Sequence, residues 1–130
     1  MSINYSVNIE KYAERHFIKS FERKYGRAWD ITIEALKREL QSFNVLLLKT
    51  IAEIMAEKEE IIICKVEFKV AGTCQSRHGS GNRCIIFVNS KSNLIDILLL
   101  YHKNHLGDGN ETAKWRQIIR DNYPKYKSLV

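Results

Sequence analysis

The sequence is poor in the residues that punctuate or cross-link a chain. One proline and six glycines in 130 residues leave no Pro-rich or Gly/Ser-rich stretch to act as a linker, so one domain over residues 1–130 is expected. The cysteines are three, Cys64, Cys74 and Cys84, an odd number that excludes a fully paired disulfide framework. The opening Met1-Ser2-Ile3-Asn4-Tyr5-Ser6 lacks the basic and long apolar regions of an export signal, so reduced thiols and a cytoplasmic location are expected. The longest apolar runs, Val45–Leu48, Ile61–Cys64, Cys84–Val88 and Ile97–Tyr101, fall far short of the ~20 residues a membrane helix needs. No membrane partner is expected.

Signatures of bound cofactors are missing too. Ser80-Gly81-Asn82 leads into a strand pattern and lacks the Gly-Lys-Ser/Thr ending of a phosphate-binding loop. Cys74, His78 and Cys84 are spaced Cys-x3-His-x5-Cys, with His102 or His105 as a conceivable fourth ligand. That spacing fits no common zinc ribbon or finger, and there is no Cys-x2-Cys pair. Neither a metal nor another cofactor is expected.

What the chain does carry is positive charge, unevenly spread. The formal net charge is +6, yet residues 1–59 hold ten Lys/Arg against nine Asp/Glu while residues 60–130 hold eleven against six. A positive field confined to the second half favours a polyanionic partner such as nucleic acid, and attracts an acidic protein equally well.

The apolar pattern implies an α+β fold. Alternation at Ile3, Tyr5 and Val7 predicts a short first strand, and Asn8 is placed to cap a helix to about Lys24 bearing Tyr12, Ala13, Phe17 and Phe21. Gly26 suits the exit turn. A second helix, about Ala28–Phe43, sets Trp29, Ile33, Leu36, Leu40 and Phe43 on one stripe, the pattern of a helical hairpin laid on a sheet. Residues 44–59 read either as more helix or as a strand from Thr50 to Met55. From Ile61 to Val70 the period changes to two, with Val66, Phe68 and Val70 facing one way and Lys65, Glu67 and Lys69 the other. A polar loop, 72–82, precedes two further strands, Arg83–Val88 and Leu94–Tyr101, and Asn110 is placed to cap a last helix that Pro124 bounds. The sum is an N-terminal strand and helical hairpin packed on a mainly antiparallel β-meander, with a C-terminal helix. Val66, Phe68, Ile86, Leu98 and Leu100 should be buried with Phe17, Phe21, Ile33, Leu36 and Leu40.

Within residues 61–105 the pattern becomes specific. Lys65-Val66-Glu67-Phe68-Lys69 makes a basic strand, Ser80-Gly81-Asn82-Arg83 opens the next with Gly-x-Arg, and Leu100-Tyr101-His102-Lys103-Asn104-His105 ends the third. In this order the motifs resemble the RelE/ParE toxin superfamily. The resemblance implies the toxin of a type II toxin–antitoxin pair, a metal-independent endoribonuclease that cuts mRNA on the ribosome and is neutralised by a cognate antitoxin. A ParE-like inhibitor of DNA gyrase, or a plain RNA-binding module, is the alternative. Carried over by position, Lys65, Arg83 and Lys103 match the family's basic residues, and His102 stands beside them as a proton carrier. Lys69, Arg77 and His105 are expected to help bind substrate.

The chemistry agrees with that assignment. Cleavage without a metal needs the 2′-hydroxyl deprotonated, the leaving oxygen protonated and the phosphate charge stabilised. Lys and Arg supply the last, and His or a lysine of depressed pKa the first two. Glu67 replaces a lysine that RelE itself has, Leu106-Gly107-Asp108-Gly109 replaces a late tyrosine, and the loop from Thr73 to Gly81 is longer than the family's turn.

Overall fold

The computed structural model describes residues 4–130, so Ile3 of the predicted first strand lies outside it. Strand β1 covers Ser6–Ile9. Lys11–Ala13, Glu14–Ile18 and Lys19–Tyr25 then follow one another as a single helix, α1, whose middle stretch is π-helical. Gly26, at φ 55°, reverses the chain into α2, Arg27–Gln41, and a short α3, Phe43–Leu46. Strands β2 (Ala52–Lys58) and β3 (Ile61–Phe68) come next. A one-turn α4, Arg77–Ser80, interrupts the polar loop before β4 (Asn82–Asn89) and β5 (Leu94–His102). A 3₁₀ turn at Lys103–Leu106, helix α5 at Glu111–Asn122 and a 3₁₀ segment at Pro124–Leu129 complete the chain.

The five strands form one sheet in the order β1-β5-β4-β3-β2, parallel between β1 and β5 and antiparallel elsewhere. The expected α+β architecture is therefore present. The ambiguous 44–59 stretch divides: α3 takes its start, and a strand takes its end, turning at Glu59 with φ 57°.

Two cores lie on the two faces of this sheet. On one face α1 and α2 bury Phe21, Trp29, Leu36 and Leu40 against Cys64, Val66, Phe68, Cys84, Ile86, Val88 and Leu100. On the other, α5 and the C-terminal segment bury Trp115, Ile119, Tyr123 and Tyr126 against Ile63, Ile85, Phe87, Leu98, Leu99 and Tyr101. The cap Asn110 accepts from the Ala113 amide at 3.0 Å, as its position implied.

Four expectations need correction. Ile33 is only partly buried, and Thr32 is the buried residue at that turn of α2. Leu98 is on the α5 face and not with the hairpin, because Ile85 pairs with Leu99 while Ile86 pairs with Ile97, which leaves Leu98 as the extra residue of a β-bulge. Ile18, and not Phe17, is the fully buried residue of mid-α1, since a π-helical turn puts the residue five after Ala13 on its face. Asn8 does not cap α1. It lies in β1 and donates to Asp96 at 3.3 Å, and Glu10 is the residue before the helix.

Since the sheet separates the cores, they should respond independently to small losses of packing. Ile86→Val and Ile119→Val should each cost ~0.5–1.5 kcal/mol, and the double variant should equal their sum within ~0.5 kcal/mol. Urea denaturation of the three variants measures this; a larger coupling would mean one continuous core.

Candidate functional site

The predicted site residues gather where β3 ends, β4 begins and β5 ends. Ser80 pins α4 to this corner: its buried hydroxyl lies 2.6 Å from the Phe68 carbonyl and accepts from the Asn82 amide at 3.1 Å. The Lys103 amide donates to the Gly81 carbonyl at 2.8 Å, joining the end of β5 to the same turn.

On the α5 face, Glu67 stands opposite Arg83 and Arg83 opposite Tyr101, while Lys65 opposite Ile85 is Arg83's diagonal neighbour. Arg83 is only 5% exposed. Its guanidinium donates to the carbonyls of Asn82 at 3.0 Å and His78 at 3.3 Å. Glu67 holds the exposed His78 ring through Nδ1 at 3.0 Å. The Tyr101 hydroxyl donates to Glu111 at 2.7 Å, and burial, then that carboxylate, pushes its pKa far up. Lys65 is half-buried beside this network.

His102 and His105 are not part of it. His102 stands opposite Asn82, which stands opposite Phe68, so it shares the hairpin face; His105 likewise packs edge-on to Phe21, ring centres 6.1 Å apart. The two histidines cap the 3₁₀ turn. His102 Nδ1 accepts from the Asn104 amide at 3.1 Å, and the His102 amide donates to His105 Nδ1 at 3.3 Å. Burial first, and then the charges of His105, Lys24 and Lys103, hold the His102 pKa below its ordinary value, against an opposing hydrogen bond to the Ser80 backbone. Protonating Nδ1 would also remove the acceptor that Asn104 uses.

The remaining candidates lie at the rim. Lys69 and Lys103 are exposed at the ends of β3 and β5. Arg77 is tied to Glu39 of α2, Nη1 to Oε1 2.9 Å, a contact close in distance but off the hydrogen-bonding direction. Of the zinc candidates, Cys84 is wholly buried with its thiol pKa raised by desolvation, whereas Cys74 is exposed. The structure thus unites Lys65 with Arg83, sets His102 and His105 behind the sheet, and leaves Lys69 and Lys103 between. Glu111 joins the network without any sequence signal beyond its place after the Asn110 cap. His78 joins it as Glu67's partner.

A neutral His102 makes two outcomes expected. Gly81 has φ 76°, and a Cβ there would lie 2.8 Å from His102 Nε2, so Gly81→Ala should cost more than ~1 kcal/mol from backbone strain and displacement of the ring. By NMR, His102 should titrate below 6.5. A folded-state pKa below the unfolded one means that stability falls as pH drops from the unfolded value through the folded one, and this acid sensitivity should shrink in His102→Gln. A His102 midpoint above 6.5 would refute the neutral cap.

No protein-family model matches this sequence, and no curated protein matches it. Among solved structures, a chain in the crystal structure of the archaeal RelE–RelB complex from Pyrococcus horikoshii OT3 is similar in fold, with TM-score 0.55 and 18% sequence identity over 80% of this chain and 98% of that one. The mixed α+β architecture with a five-stranded, mostly antiparallel sheet is consistent with the RelE fold.

Proposed function

We propose that this protein is the toxin of a type II toxin–antitoxin pair, cleaving mRNA on the ribosome without a metal and neutralised by a cognate antitoxin. The observation that carries the reading is the RelE fold with Lys65, Lys69, Arg83 and Lys103 at one end of its sheet. In this reading Lys65, Lys69 and Lys103 contact phosphates. Arg83 is a fixed positive charge beneath them, held by two carbonyls and able to stabilise the crowded phosphate without reorganising. Arg77 and His105 extend the cationic rim. His102 meets the message over the strand tips beside Lys103, and as a neutral imidazole it suits a base that takes the 2′-hydroxyl proton. To do so its Nδ1 bond to Asn104 must open, because Nε2 already carries the hydrogen of the neutral ring.

One observation favours the second reading, a ParE-like inhibitor of DNA gyrase. Arg83 is almost wholly enclosed, and Glu67 adds a negative charge beside it, an arrangement that serves a scaffold as well as a reaction. Induced expression separates the two. The RNase reading expects growth arrest with cut mRNA, and arrest with intact mRNA and inhibited supercoiling would replace it with the gyrase reading. No arrest would leave an RNA-binding module.

The residues are tested with purified protein and ribosome-bound message. Lys65→Ala should weaken binding and lower the salt slope by about one, one phosphate contact having been lost. His102→Ala should leave binding nearly unchanged and slow cleavage by roughly 10²–10⁴; cleavage at the wild-type rate would make this histidine a cap alone and pass the proton to a lysine.

A further inference from the structure

At the other end of the sheet, roughly 25 Å along β5 from His102, a cavity of about 550 Å³ opens between the strand ends and the C-terminal segment. Its size is that of a small-molecule site. The apolar walls are Ile61, Leu94, Leu129 and the paired rings of Phe87 and Tyr126, whose centres are 4.4 Å apart. In the wall lies Asp96, 5% exposed. Both of its oxygens are hydrogen-bonded, one to the Tyr126 hydroxyl at 2.9 Å and one to the Asn8 amide at 3.3 Å, and both donors are neutral.

Among the described residues no Lys, Arg or His lies within 4 Å of this carboxylate. A buried carboxylate is costly without a cation, and aromatic faces also favour positive charge. Two lysines stand at the cavity, but neither neutralises Asp96. Lys125 reaches Glu10 at 3.9 Å and lies over the Tyr126 ring at 4.9 Å, and Lys58 lines the cavity beside Glu59. Lys125 thus occupies the outer aromatic position that an incoming cation would contest.

We propose that this cavity binds an organic monocation, an amine or guanidinium carried on an apolar or aryl stem. The cationic nitrogen meets Asp96, and the stem fills the space between Phe87, Tyr126, Ile61 and Leu129. This is independent of what the opposite end of the sheet does to RNA.

The test uses the full chain and a matched pair of probes, 2-phenylethylamine and its neutral counterpart 2-phenylethanol, followed by NMR shifts of Tyr126 and Phe87 and by calorimetry. The amine should bind at least tenfold more tightly than the alcohol. Asp96→Asn, which keeps an acceptor for Tyr126, should lose that preference, and Lys125→Met, which removes the competing cation and leaves Asp96 in place, should strengthen amine binding several-fold. Equal binding of amine and alcohol, an unchanged preference in Asp96→Asn, weaker amine binding in Lys125→Met, or no binding of either probe would each overturn the proposal. Should Asp96→Asn fail to fold, the Lys125→Met comparison decides alone.

Discussion

Leu98 and Leu99 are consecutive residues of β5, and both face α5. Everything beyond them in the strand depends on this bulge. Ile95 and Ile97 belong to the hairpin core; unbroken alternation would carry Leu99 and Tyr101 there too, and would turn His102 toward α5 with Lys65 and Arg83. The bulge reverses that assignment. Leu100 joins the hairpin core, Tyr101 goes under α5 to meet Glu111, and His102 goes behind the sheet to cap the turn after β5. Two leucines under α5 also fill a face that already holds Ile63, Ile85 and Trp115. Removing the bulge would therefore expose a packed leucine as well as move a histidine.

The same corner is only partly neutralised by the chain's own acids. Glu39 takes Arg77, Glu67 takes His78 and Glu111 takes the Tyr101 hydroxyl. Among the described residues no carboxylate lies within 4 Å of Lys65, Lys69 or Lys103. Glu39 and Glu67 are thereby engaged, which leaves the unpaired positive charge of the corner on the lysines at the strand tips. Positive charge so placed attracts anions to the tips, and the attraction weakens with salt over about a Debye length of ~8–10 Å.

Much of the fold was legible because its periods are clean. Trp29, Leu36, Leu40 and Phe43 recur at helical spacing and are buried together; Val66 and Phe68 alternate with Lys65 and Glu67 and take opposite faces. The bulge was not legible. Ile97–Tyr101 is apolar at every position because β5 is buried on both faces, and a continuous apolar run carries no period from which a side can be read. Asn8 was misread for a different reason. Its type favours a helix cap, but β1 pairs parallel with β5 and brings it to Asp96, a partner 88 residues away that local propensity cannot anticipate. The bulge bears on the candidate site: order and spacing single out its basic residues, while tertiary pairing fixes the face each one takes.

Two of the sequence's departures from RelE's own pattern turn out to be one arrangement. Glu67 in place of a lysine would set an acid beside Arg83, and the long 73–81 loop would be an unsupported insertion, if each stood alone. The loop winds into α4 and delivers His78, whose ring takes the Glu67 carboxylate and whose carbonyl takes the Arg83 guanidinium. Glu67 therefore anchors the loop, and the loop in turn supplies one of the two carbonyls that hold Arg83. A lysine at 67 would place a second cation opposite Arg83 across the strands, where like charges repel, and would release His78 at the same time. The acid and the insertion are therefore one linked arrangement around Arg83 rather than two separate changes.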